Sequence, residues 1–137
     1  MRQICAFFLV VCIFSCKGLS SSIDMDNEKQ VRSALIGKWE STYMETFAGR
    51  MEVPKEIVSV ITYEANGTYD ARRKGGVIAT TGNWSYDPKA HRLNDSSEGM
   101  PHYERVVSLT EKELVLTSYT FSNDKIVDST IETYKKL

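Results

Sequence analysis

Glu56-Ile57-Val58-Ser59-Val60-Ile61-Thr62-Tyr63, followed by Glu64-Ala65-Asn66-Gly67 and then Thr68-Tyr69-Asp70-Ala71-Arg72-Arg73-Lys74, is the stretch that decides the fold. The first run is rich in β-branched and aromatic side chains, which suit the pleated, half-buried surface of a strand. Asn66-Gly67 is the dipeptide that most readily takes positive φ at both positions, as a type I′ hairpin turn requires. The pattern predicts two antiparallel strands, 56–63 and 68–74, joined by a tight turn.

The same signals continue on both sides. Strands are predicted over 36–44, 77–86, 91–93, 102–109, 113–121 and 125–134, again from β-branched and aromatic content. Gly75-Gly76 marks a second tight turn, Asp87-Pro88 ends a strand because proline cannot donate to a ladder, and Ser122-Asn123-Asp124 separates the last two. Upstream, Val31, Ala34 and Leu35 fall at helical spacing behind a candidate N-cap, Asp26, and predict a short amphipathic helix over 27–34 that plugs or straps the sheet. The fold class that follows is all-β: an eight-stranded antiparallel up-and-down barrel with a short N-terminal helix, since closure removes the edges that an open meander would expose. The connections 45–55 and 94–101 read as long loops at one end of this barrel, and the other end is closed by tight turns.

The beginning of the chain has a different character. Arg2 precedes an apolar run of eleven residues, Ile4 to Phe14, about half the length of a membrane-spanning helix. Such a run fits a cleaved signal peptide over 1–15. Ile13-Phe14-Ser15-Cys16 resembles the lipobox of bacterial lipoproteins. That resemblance implies a lipidated Cys16 (palmitate among its acyl chains), a flexible tether over 16–30, a barrel domain over 31–137, and a place in the bacterial cell envelope, on the outer membrane. The alternative is an ordinary secretory cut near Ser15 or within Ser20-Ser21-Ser22. All three cysteines, Cys5, Cys12 and Cys16, lie in this leader region, so the barrel has neither a disulfide nor a cysteine-ligated metal site. The chain carries 17 basic and 18 acidic residues, a balance that gives no electrostatic reason to expect nucleic acid as a partner.

Gly37-Lys38-Trp39, opening the first strand behind a helix, resembles the Gly-x-Trp signature of lipocalins. Tyr63 to Tyr69, Gly82-Asn83-Trp84-Ser85-Tyr86, and Val107 to Leu116 resemble, in the same order, segments of small bacterial lipocalin-like lipoproteins. The resemblance spans 35–137. It implies a barrel that binds a small apolar or amphipathic ligand at its open end. The chain departs from full lipocalins in its shortness and in having Lys135 and Lys136 where an arginine would stack on the first-strand tryptophan.

Trp39 and Trp84 map near the closed end and read as structural residues of the barrel floor. Phe47, Met51 and Val53 in the first long connection are the candidate ligand contacts, either folding inward as a lid together with Met100 from the other long connection or capping the core. Arg72 and Tyr119 are further candidates nearer the open end. The seven tyrosines read as cross-strand packing, and the carboxylates as turn and surface residues. His91 and His102 complete no metal site, and no phosphate loop or nucleophile motif is present, so the sequence points to no enzyme, no catalytic residue, no metal and no cofactor. Two functions remain: a membrane-anchored binding module, or a filled barrel that docks on another envelope protein.

Overall fold

The computed structural model describes residues 23–74, 79–97, 100–122 and 125–137. Cys16, the expected signal peptide over 1–15 and the expected Gly75-Gly76 turn lie outside them.

Helix α1 runs over Glu28–Leu35 and presents Val31 and Leu35, one turn apart, as fully buried residues. Its N-cap is Asn27, not Asp26: Asn27 holds an extended backbone and its side chain accepts from the Gln30 N–H at 3.2 Å. Asp26 is used differently. Its backbone N–H is held by the Asp24 carboxylate, and its own carboxylate meets His91 at 3.0 Å.

Among the described residues nine strands follow: β1 (Gly37–Thr46), β2 (Gly49–Glu52), β3 (Ser59–Tyr63), β4 (Thr68–Arg73), β5 (Ala79–Asp87), β6 (Arg92–Ser97), β7 (Met100–Leu109), β8 (Glu113–Ser122) and β9 (Lys125–Lys136). They pair antiparallel in the order β2-β1-β3-β4-β5-β6-β7-β8-β9, and β1 also pairs with β9. Eight strands thereby close into a lipocalin-like barrel. The ninth, β2, is an arm. The edge of β1 is shared: Gly37–Glu40 pairs with β3, and Tyr43–Thr46 pairs with β2.

Three sequence expectations change here. Residues 45–55 are not a long loop, because β1 continues to Thr46 and folds back as β2 through a turn in which Gly49 has φ of 111°. Residues 94–101 are not a long loop either, since β6 runs to Ser97 and pairs with β7 from Met100. The 64–67 turn is not type I′. Only Gly67, at φ 86°, is left-handed, and the turn is closed by Gly67 N–H donating to Glu64 O and by Glu64 N–H donating to Thr68 O.

The core fills one end of the barrel, where the turns 64–67, 88–91 and 110–112 lie. Here Trp39, Tyr63, Leu93, Leu114, Leu116, Val31 and Leu35 are all at most 1% exposed. Trp39 donates its indole N–H to Leu35 O at 2.7 Å, and Trp84 donates to Glu64 O at 3.1 Å, so both rings are buried with their polar atom satisfied. Lys136 takes the place of the lipocalin arginine. Its ammonium lies 5.0 Å from the Trp39 ring centroid and donates to Ala34 O at 2.7 Å, which ties the end of β9 to the end of α1. Burial holds its pKa below the usual lysine value. Arg32 of α1 sits 4.6 Å over the Trp84 ring. Residues before 31 also belong to the packed structure: Ile23 N–H donates to Leu109 O, Tyr86 donates its hydroxyl to Met25 O at 2.9 Å, and Ile23 and Met25 pack on the core.

Candidate functional site

Directly opposed residues of an antiparallel pair project from the same face of the sheet. The register therefore identifies the inner wall. Trp84, Leu93 and Leu116 are buried core residues, and their partners are Asp95, Glu104 and Glu132. Three carboxylates thus face the barrel interior. Each stands two residues from a core side chain on its own strand: Leu93 and Asp95 on β6, Val106 and Glu104 on β7, Tyr134 and Glu132 on β9. By the same parity Tyr63 and Tyr69 lead inward to Ile61 and Ala71 on β3 and β4, and Met44 of β1 lies opposite Glu132.

Asp95, Glu104, Glu132, Ile61, Ala71 and Met44 are all half-buried, in contrast to the floor residues. Inward-pointing side chains that keep exposed surface border space that water can reach. Above its aromatic floor the inner face of the barrel therefore has two unlike sides. One is acidic, on β6, β7 and β9. The other is apolar, on β1, β3 and β4.

The electrostatics of the floor record this acidity. Tyr63 is 1% exposed, and its pKa is pushed well above 10.0, first by burial and then by the charges of Glu104 and Asp95, with Tyr69 and Glu132 adding smaller effects. Tyr134 is raised likewise, by burial, by Glu132 and by Glu104. Its hydroxyl donates to the Glu132 carboxylate. The Tyr63 ring meets Trp84 edge-on at 5.4 Å. Among the described residues no group of three or more His, Cys, Asp or Glu side chains is gathered closely enough to hold a metal ion. The acids line a wall and do not converge on a point.

The chain matches no protein-family model and no curated protein. The site is therefore read from its geometry alone.

The residues proposed from sequence fall mostly elsewhere. Phe47 occupies the tip of the β1–β2 arm and is 92% exposed, so it neither lids the mouth nor caps the core. Met51, 47% exposed, lies opposite Met44 and so shares the inward face, where the arm extends the wall upward. Val53 is half-buried and its N–H is held by Thr42 O. Arg72 lies on the outer wall, bonded to Asp70 at 2.7 and 3.1 Å. Tyr119, on the face of β8 opposite to Leu116 and Ser118, is also on the outer wall. Met100 begins β7 opposite Ser97. Trp39 and Trp84 are buried among the residues of the floor.

The sequence places the carboxylates mostly in turns and at surface positions, whereas these three face inward. Two of the three carried a usable signal: Glu104-Arg105-Val106 and Glu132-Thr133-Tyr134 place an acid in phase with a core residue. Asp95 carries no such signal, because the composition of β6 does not mark a strand beyond Leu93.

Among the described residues the outer surface carries open clefts. One of about 510 Å³ lies beside α1, lined by Ile23, Lys29, Gln30, Ser33, Ala34, Glu111 and Lys136. Another, of about 520 Å³, includes Glu40 and Lys74. Glu40 is already paired with Lys135 at 3.0 Å and Lys74 at 3.4 Å, and these partners hold its carboxyl below the usual range.

Proposed function

We propose that the chain is a lipocalin-like lipoprotein that binds a small ligand in the half-open chamber of its barrel and is held in the bacterial envelope by lipid on Cys16. The observation that carries the binding reading is the contrast along single strands: fully buried residues at the floor give way, two positions on, to half-buried inward-facing ones. A barrel whose only task was to be filled would continue its core to the rim. Concave sites with an apolar lining and a few convergent polar groups are the usual form of small-molecule pockets. For the anchor, support comes from the Ile13-Phe14-Ser15-Cys16 motif and the apolar leader. Among the described residues no helix is long and apolar enough to cross a membrane. The second reading, a barrel that docks on an envelope protein, draws on the exposed Phe47 at the arm tip.

Native mass spectrometry of the protein purified from its source membrane tests both. A small added mass, lost on mild activation, is the expected result. A bare lipidated protein that instead retains a second polypeptide would reverse the choice. For the anchor, Cys16→Ser should move the protein from the membrane to the soluble fraction, and unchanged detergent dependence would sink that part of the proposal.

A further inference from the structure

We infer that the free edge of β2 pairs with the same edge of a second copy of the chain, antiparallel about a twofold axis at Met51, so that Arg50 of each copy faces Glu52 of the other. This goes beyond the ligand-binding reading and does not depend on it.

Closing the barrel covers the edges of eight strands and leaves the arm. Among the described residues β2 has a single neighbour, β1, and stands at the end of the strand order. Which of its backbone groups point outward follows from the alternation of an antiparallel ladder. Val53 N–H donates to Thr42 O at 2.9 Å, which marks Thr42 and Val53 as a hydrogen-bonded pair. Along the register from there, Tyr43–Glu52 is a non-hydrogen-bonded pair, Met44–Met51 a bonded one and Glu45–Arg50 again non-hydrogen-bonded. The N–H and C=O groups of Arg50 and Glu52 therefore point away from β1. Such a row is a template for another strand.

The charges select the occupant. Arg50 and Glu52 carry one charge of each sign two residues apart, and all four β2 residues are exposed. Pairing the edge with its own copy allows three symmetric registers, centred on Arg50, Met51 or Glu52. The first sets Arg50 opposite Arg50. The third sets Glu52 opposite Glu52, and Arg50 opposite Pro54, which has no N–H to give. Like charges directly opposed are unfavourable and opposite charges favourable. The register centred on Met51 sets Arg50 opposite Glu52 twice and lets both residues exchange both backbone bonds. The two Met51 side chains then meet at a non-hydrogen-bonded site, where side chains approach most closely, on the face they share with Met44. Arg50 is already held over the Tyr43 ring at 4.5 Å, on the same face as Glu52. Continuing the register brings the exposed Phe47 alongside the Val53–Lys55 segment of the second copy. So short an edge makes a small, reversible contact.

The test captures the pair by oxidation of the full chain in the cells that make it. Met51→Cys should give a disulfide-linked dimer on a non-reducing gel, because directly opposed non-hydrogen-bonded residues come close enough to bridge. The parent chain, with its own Cys5, Cys12 and Cys16, is the blank. Added to Met51→Cys, either Arg50→Glu or Glu52→Arg sets like charges opposite at both sites and should cut the dimer at least about fivefold. Both positions are exposed, so each variant should keep the parent's melting temperature. Produced together with different tags, the two variants carry opposite charges at both opposed sites, and the mixed dimer should return while neither self-dimer does. A dimer yield indifferent to the charge changes, a mixture that does not recover, or no dimer beyond the blank overturns the pairing. A disulfide from Met51→Cys to a different polypeptide overturns it as well and gives the edge to a foreign partner.

Discussion

At the closed end of the barrel Trp39, Trp84, Leu93 and Tyr134 are at most 4% exposed, and the indole N–H groups and the Tyr134 hydroxyl all have partners. At the open end, on the same strands or their neighbours, Ile61, Asp95, Glu104 and Glu132 point inward but stay half-buried. One end is closed by α1, by the Lys136–Trp39 contact and by three tight turns. The other is extended by the β1–β2 arm, whose four β2 residues are all exposed. Stability is concentrated where nothing more can fit, and charge is placed where something can. Three experiments can break or sharpen this division.

The largest effect is expected at the floor. Trp39→Ala would remove a fully buried ring, orphan Leu35 O and uncover Lys136. A loss of about 3–5 kcal/mol is expected for a buried aromatic in a small core, read by chemical denaturation. A loss under about 1 kcal/mol would mean that the floor does not carry the fold.

The next effect couples the two ends. Tyr63 and Tyr134 have folded pKa values well above 10.0. A group whose folded pKa is raised contributes its stability below the unfolded value and loses it as pH climbs toward the folded one. The melting temperature should therefore fall from about pH 10 upward, where tyrosines of the unfolded chain begin to ionise. Tyr63→Phe should make that alkaline fall shallower. An unaltered slope would show that Tyr63 does not sense the acidic wall.

The smallest effect belongs to the arm. Phe47→Ser should change stability by no more than about 0.5 kcal/mol, because its side chain is almost wholly in solvent. A large destabilisation would place the arm in the core after all.

The sequence makes the strands visible where side-chain chemistry and position agree. β3, β4, β8 and β9 are rich in Val, Ile, Thr and Tyr, and their reading from composition is sound. β6 is Arg92-Leu93-Asn94-Asp95-Ser96-Ser97, a run of weak strand formers held extended by partners on both sides, so propensity alone shortens it to its one apolar residue. β2 exists because β1 outruns β3, a fact about relative strand lengths that no local pattern contains. The site suffers most from these two gaps. Its acids become inward-facing only when the register is known, and the exposed Phe47 drew attention to the arm because its apolar side chain was expected to seek cover.

The N-terminal attachment of the barrel has a geometric result of its own. Ile23 joins the fold by pairing with Leu109, beside the sealed base. The tether of the proposed lipid anchor would therefore join the barrel at its sealed base. β8, ten residues long, rises at about 3.3 Å per residue before tilt is counted, which sets the depth from opening to base. Were the anchor present as proposed, a molecule dissolved in the surrounding water would reach the opening without passing the tethered end.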